Sequence, residues 1–277
     1  MICVLFMEVI AAKYLHARPV HFCMIFKRPF DVDQRRMEIL SGIVSRYYGG
    51  TKDRFPVPGK WRSMGDEDLW KHLIRIIIAA GKSAPSYNLV NSDDFRHFTI
   101  KEMKRYQSLH GTDGLITNIH RIMAGYNVRY CSPLKDRSIK AAAIVNNLNN
   151  PVIIEDTKFR LMDRIADFRN DPRFYIIDNV EMYGMNSSSE FLIEVGYTKD
   201  YMALDTRLRR VFSIVFDKDF RKAISTKDEY LRFEQEFRDE ICPKLNVKPA
   251  ELDSIIFWNY DSILKDLKSL HSYFYNK

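Results

Sequence analysis

Cysteine is scarce in this chain: Cys3, Cys23, Cys131 and Cys242 are scattered through 277 residues with no pair at metal-ligand spacing. That spacing speaks for a reduced, intracellular chain rather than a disulfide framework. The seven histidines form no His-Glu-x-x-His pair, and neither a Walker phosphate loop nor a dinucleotide fingerprint occurs. A metal- or nucleotide-dependent enzyme is thereby disfavoured, and no cofactor is expected. Long apolar runs are missing too. Met1–Ala12 is apolar but too short to span a bilayer and lacks a basic leader. With Lys13, His16, Arg18 and His21 following, it reads as a core strand or helix, not a targeting signal, and residues 1–33 form an extension with no assigned role. There is no internal repeat, no low-complexity segment and no convincing pair of alternating strands.

What is present is a globular composition, 46% hydrophobic and 29% charged, in a chain long enough for one large domain or two small ones. The formal charge of +7 suits a polyanionic partner. Nearly every apolar pattern has helical period, so the expected class is mainly α. The spacing predicts helices over Asp33–Tyr48 (stopped by Gly49-Gly50), Asp66–Ala80 (closed by Gly81–Pro85), Ile100–Leu109, Gly114–Ala124, Leu134–Asn147, Thr157–Phe168, Phe220–Ile224, Lys227–Ile241 and Ala250–Phe274. In the last of these, Trp258 and Leu270 are placed inward. Arg129, Arg137 and Lys140 read as a basic, solvated face or a set of phosphate contacts.

The stretch Met182–Phe212 organises the rest. Gly184 marks a tight turn requiring a backbone conformation closed to other residues. Ser187 and Glu190 have capping-box spacing, which sets a helix start. Phe191, Leu192 and Val195 supply an apolar stripe that Gly196 ends, and Asp205 stands as N-cap before Leu208, Val211, Phe212 and Val215. This hairpin, loop and Asp-Thr-x-Leu-x-Arg-Val continuation resemble the helix–hairpin–helix DNA glycosylases, in particular the archaeal type-2 8-oxoguanine glycosylases. The family hairpin reads Gly-x-Gly-x-Lys-x-Ala-Ser-x-Phe-Leu-x-x-Val-Gly-Tyr. Gly184 matches its second Gly; Ser189, Phe191, Leu192, Val195, Gly196 and Tyr197 fall in register, and Asp205 matches the acidic residue with one extra loop residue. Met182 replaces the first Gly, and Asn186 stands where the family has Lys. The run Val247–Trp258 also resembles the family's C-terminal helix, whose terminal carboxylate reads the oxidised guanine. The corresponding point here is near Lys265, and the chain continues to Lys277.

The resemblance implies two helical lobes, one of 65–196 ending in the hairpin and one of 34–64 with 197–277, with the active site in the cleft between them. It implies a monomeric, nucleoid-associated cytoplasmic DNA repair enzyme acting on double-stranded DNA, without the four-cysteine iron–sulfur cluster of endonuclease III. Base excision requires the target base to leave the stack. Positive charge then builds on the sugar, where a carboxylate stabilises it and activates the nucleophile. Asp205 is the candidate, and its helix N-terminus is expected to favour the ionised form. A lysine amine would form a Schiff base and permit strand cleavage. The amide of Asn186 cannot, so water is the expected nucleophile. Gly184, Met185, Asn186, Ser187 and Ser188, with Arg207 and Lys82, are the candidate DNA contacts, through backbone N–H groups of Gly184, Asn186 and Ser188 on a phosphate. Ser83 and Asn88 fall near the lesion by the same likeness, and Tyr87, Phe257 and Trp258 are candidates for the base pocket. Two alternatives stand beside this reading: a bifunctional glycosylase/lyase using Lys82 or Lys199, and an inactive DNA-binding protein of the same fold.

Overall fold

Asp33 accepts a hydrogen bond from the Arg36 amide and starts α1, Gln34–Thr51. The computed structural model describes residues 32–81 and 83–275, so the expectations for residues 1–31 and for Lys82 lie outside the described residues. The chain continues through α2 (Asp66–Ala79), α3 (Ser83–Val90), α4 (Ile100–Gly125), α5 (Ile139–Asn149), a two-strand antiparallel ribbon β1 (Ile154–Glu155) and β2 (Lys158–Phe159), α6 (Leu161–Ala166), α7 (Pro172–Asn179) and α8 (Met185–Glu194). Then come α9 (Thr206–Val215), α10 (Phe220–Ala223), α11 (Lys227–Glu236) running into a π-turn at Phe237–Ile241, α12 (Cys242–Leu245), α13 (Pro249–Trp258) and α14 (Tyr260–Tyr275). The fold is mainly α, and among the described residues no helix is long and apolar enough to cross a membrane.

Two buried cores divide these elements. Trp70, Leu73 and Ile77 of α2 meet Phe98, Ile119, Ile144, Leu161, Ile176 and the Phe191–Leu192 pair of α8 in one. Leu40 and Val44 of α1 meet Leu208, Val211 and Phe212 of α9, Phe233, Phe237, Ile255 and Ile263 in the other. Leu208, Val211, Phe212 and Val215 recur at helical spacing and all are buried, which is why α9 forms and docks. A small cluster of Ile193, Ala203 and Ala250 links α8 to the loop before α9 and to α13.

Several local expectations need correction. Gly49 and Gly50 do not stop α1, which runs through both to Thr51. Gly81, at φ 87°, ends α2, yet α3 follows at once where a loop was expected. The Ile100–Leu109 and Gly114–Ala124 segments join as one helix kinked at Gly111 (φ 72°). Helix α5 begins only at Ile139, because the Ser138 hydroxyl caps the Ala141 amide. The start of the Thr157–Phe168 segment is spent on the ribbon, whose turn places Asp156 and Thr157 at positive φ. The expected last helix is broken at Asn259, and Trp258 at that break is 53% exposed rather than inward. Lys140 is no solvated cation. It is fully buried, with Nζ donating to Ile78 and Ala80 carbonyls at the end of α2.

The hairpin turn also differs. Gly184 has extended backbone (φ −130°, ψ −170°) that any residue adopts. The left-handed position is Met182, at φ 66°. A side chain there costs roughly 1 kcal/mol. Met182→Gly is therefore expected to raise the unfolding temperature by roughly 2–4 °C in a thermal melt.

Candidate functional site

The loop 201–205 enters the seam between the two cores and ends at Asp205, and side chains from three helices, α9, α11 and α13, fix it. Glu234 of α11 accepts the Met202 amide (2.8 Å), and Asp253 of α13 accepts the Ala203 amide (2.7 Å). The Tyr230 hydroxyl accepts from the Leu204 amide (3.1 Å) and donates to the Met202 carbonyl (2.6 Å), while Arg209 Nε donates to the Leu204 carbonyl (2.8 Å). A loop with five backbone groups claimed by side chains on helices has little freedom to move the residue it carries.

Glu234 is itself held by the buried Arg173, whose guanidinium also bonds Asp171 and Ser189 and lies 3.9 Å from the centre of the Tyr201 ring. Removing Glu234 would leave that guanidinium with an unpaired edge in the core. Glu234→Ala is expected to cost about 3–5 kcal/mol in denaturant unfolding. Glu234→Gln, which keeps an acceptor for Met202, should cost less.

Asp205 caps α9. Its Oδ1 accepts from the Arg207 (2.8 Å) and Leu208 (2.9 Å) amides, while Oδ2 accepts nothing among the described residues. The helix end was expected to favour its ionised form, and burial works against that. Burial raises the carboxyl above its ordinary value; the bonds from Leu208 and Arg207 and the charges of Arg207 and Arg209 oppose that without cancelling it. Asp205 in turn raises Glu190 of α8 by its charge, which puts it within electrostatic reach of the hairpin helix, one turn from Asn186.

On α8 the first-turn hydrogen bonding is not as expected. The cap is Gly184, and Ser187 Oγ accepts the Gly184 amide (3.1 Å) instead of starting the helix. The Ser188 amide bonds the Gly184 carbonyl. Two of the three N–H groups assigned to a phosphate are thus occupied; the Asn186 amide, with those of its neighbours Met185 and Ser187, stands at the open first turn. The Asn186 Oδ1 and Ser188 Oγ atoms are buried and accept no hydrogen bond. Glu190 bonds Arg75 (3.2 Å) rather than serving a capping box.

A concavity of about 490 Å³ is lined by Arg207, two residues after Asp205, and by Phe257, Trp258, Asn259, Tyr260, Asp261 and Ser262. Arg207 stacks over Phe257 (4.4 Å), and Arg54 stacks over Trp258 (4.0 Å). Its volume suits a small aromatic group. Phe257, Trp258 and Arg207 are therefore brought together, while Tyr87, 71% exposed on α3, is not among the lining residues. Asn88 is exposed on the same helix. Lys199 is engaged by Glu251 (2.9 Å), and Lys265 lies within α14. Among the described residues no group of His, Cys, Asp and Glu side chains could hold a metal ion, and Cys131 and Cys242 are free and buried.

Sequence reasoning missed Arg75, His72, Glu194, Asp253, Tyr230 and Glu234. The first two were visible as polar residues, three apart, beside the apolar stripe of α2; the others sit on unremarkable helical faces.

Comparison with solved structures identifies the fold. The 8-oxoguanine DNA glycosylase of Methanocaldococcus jannaschii superposes with a TM-score of 0.55 at 17% identity, covering 80% of this chain and 92% of that one. The 8-oxoguanine DNA glycosylase of Thermotoga maritima gives 0.55 at 14% identity, covering 80% and 94%. The M. jannaschii glycosylase/lyase bound to a 15mer DNA containing 8-oxoguanine gives 0.52 at 20% identity, covering 81% and 94%. No family model matches the chain, and no curated protein matches its sequence. The chain has the helical, two-lobed fold of these glycosylases.

Proposed function

We propose that this protein is a base-excision DNA glycosylase that releases a damaged or mismatched base, an oxidised purine among them, by hydrolysis and leaves the strand intact. The observation that carries the reading is Asp205: a carboxylate with one oxygen committed to a helix cap and the other free, on a loop immobilised at the seam, in a fold shared with 8-oxoguanine glycosylases. In this reading the lobes run over 65–196 and over 34–64 with 197–277. The open amides of Met185, Asn186 and Ser187 grip a backbone phosphate, and Arg207 and Lys82 add positive charge to that contact. The flipped base enters the concavity floored by Phe257 and Trp258. Asp205 stabilises the developing charge on the sugar and takes a proton from the attacking water.

Asn186 sets the subtype. Its amide cannot form the Schiff base that strand cleavage needs, and Lys199 is turned to Glu251. The enzyme acts as a monomer on double-stranded DNA inside the cell. Incubation with duplexes bearing single lesions tests this: release of base with strand breakage only after alkali is the expected result, and breakage without alkali contradicts it.

A further inference from the structure

Between α1 and α2, residues 52–63 form a short cationic strap. Lys52, Arg54, Lys60 and Arg62 stand there against a single acid, Asp53, and all five are exposed. Among the described residues none of the four cations has a carboxylate partner. The acids that open α2 serve that helix end and the next element: Asp66 and Asp68 lie in its first turn, and Glu67 accepts the Ile100 and Lys101 amides. The strap is tied to both cores. At one end Asn259, in the lining of the concavity, donates from Nδ2 to Thr51 Oγ1 (2.9 Å). Phe55 packs against the second core and meets the Tyr48 ring edge-on (5.2 Å). At the other end the Gly59 amide bonds the Gly196 carbonyl, and Trp61 packs against the first core beside Tyr197. Pro56 and Pro58 fix two further backbone angles. The cations are thus presented in set places.

Two of the cations are fixed in orientation as well. The Arg54 guanidinium lies 4.0 Å from the centre of the Trp258 ring, which lines the concavity, and that of Arg62 lies 4.6 Å from the centre of the Trp61 ring. Stacking occupies the face of a guanidinium and leaves its edge of N–H donors free. Neither side chain makes a hydrogen bond among the described residues. An oriented, unspent fork is suited to taking phosphate oxygens in pairs. A row of exposed cations along one strap, rather than a closed pocket, matches a ligand whose charges repeat along a chain. We propose that the strap grips the DNA backbone. Arg54, with Lys52, holds a phosphate beside the nucleotide that enters the concavity, and Arg62 and Lys60 hold further phosphates where the duplex passes the end of α8. This rests on the glycosylase reading above and adds a second phosphate grip to that of the hairpin helix. Such contacts carry no sequence information, so they serve undamaged and damaged duplex alike.

The test is the salt dependence of duplex binding, read by fluorescence anisotropy between about 50 and 200 mM salt. One duplex is undamaged and the other carries 8-oxoguanine. Arg54→Gln, Arg62→Gln and a fourfold variant with Lys52→Gln and Lys60→Gln added are compared with Lys158→Gln, which removes an exposed charge from the β1–β2 ribbon. Each phosphate contact contributes about 0.9 to the slope of log affinity against log salt. The slope should therefore fall by about 0.9 for either single variant and by about 3–4 for the fourfold one, equally on both duplexes. Lys158→Gln should leave it unchanged. The single variants alter exposed side chains, so their unfolding temperatures should stay within about 3 °C of wild type. Strap variants that keep the wild-type slope, or lower it no more than Lys158→Gln does, overturn the grip while leaving the glycosylase reading standing. Wild-type protein that binds neither duplex overturns both.

Discussion

Replacing Asp205 with Asn is expected to slow base release by about 10³-fold while the protein folds and binds duplex DNA as before. Asn keeps an oxygen for the Arg207 and Leu208 amides, so the cap on α9 survives. Burial raises the Asp205 carboxyl, so the charge is held at some cost in the native state, and its removal is neutral to mildly stabilising. What is lost is the charge opposite the sugar and the acceptor for the water's proton. Rates measured under single turnover, with melting temperature and duplex affinity as controls, separate this loss from misfolding. A variant that retains the wild-type rate would show that Asp205 is a cap and nothing more.

The second large effect is on stability. Gly196 sits at φ 70°, where α8 ends, and its carbonyl accepts the Gly59 amide at 2.7 Å. A Cβ there would lie 2.1 Å from the Val57 carbonyl oxygen. Main chain rather than a flexible side chain meets it, so the crossing of the 57–60 loop over α8 must open. Left-handed strain of about 1–2 kcal/mol and overpacking of about 1–3 kcal/mol add. Gly196→Ala is expected to lose roughly 3–4 kcal/mol, lowering the unfolding temperature by roughly 10 °C. Gly184→Ala, with extended backbone and open space around it, should change stability by less than about 1 kcal/mol. Equal costs at the two glycines would mean that the turn is not built this way.

The contrast shows what the sequence could carry. Asp205, Leu208, Val211, Phe212 and Val215 are near neighbours on one helix, so a cap followed by a periodic stripe determines α9 locally. Phe191, Leu192 and Val195 were legible for the same reason. Gly184 and Met182 were not, since positive φ belongs to a turn whose geometry the tertiary contacts decide: the glycine is extended and the methionine left-handed. Trp258 was read inward from its spacing, but Asn259 breaks the helix there and Arg54 takes the indole face. Least legible was the acidic seam. Glu190 and Glu194 are about sixty residues from Asp253 and more than a hundred from Arg75, and nothing in local spacing brings them together. Glu190 at capping distance from Ser187 even suggested a competing local role, which the ion pair to Arg75 displaces.

The most direct test of hydrolytic excision is sodium borohydride treatment of the full chain reacting with an 8-oxoguanine duplex, with the product strand analysed in parallel. A full-length abasic strand that breaks only in alkali, with no protein trapped on it, is the outcome this account predicts. A borohydride-stabilised protein–DNA adduct, or a strand cut before alkali, would contradict it by showing that an amine and not water attacks the sugar.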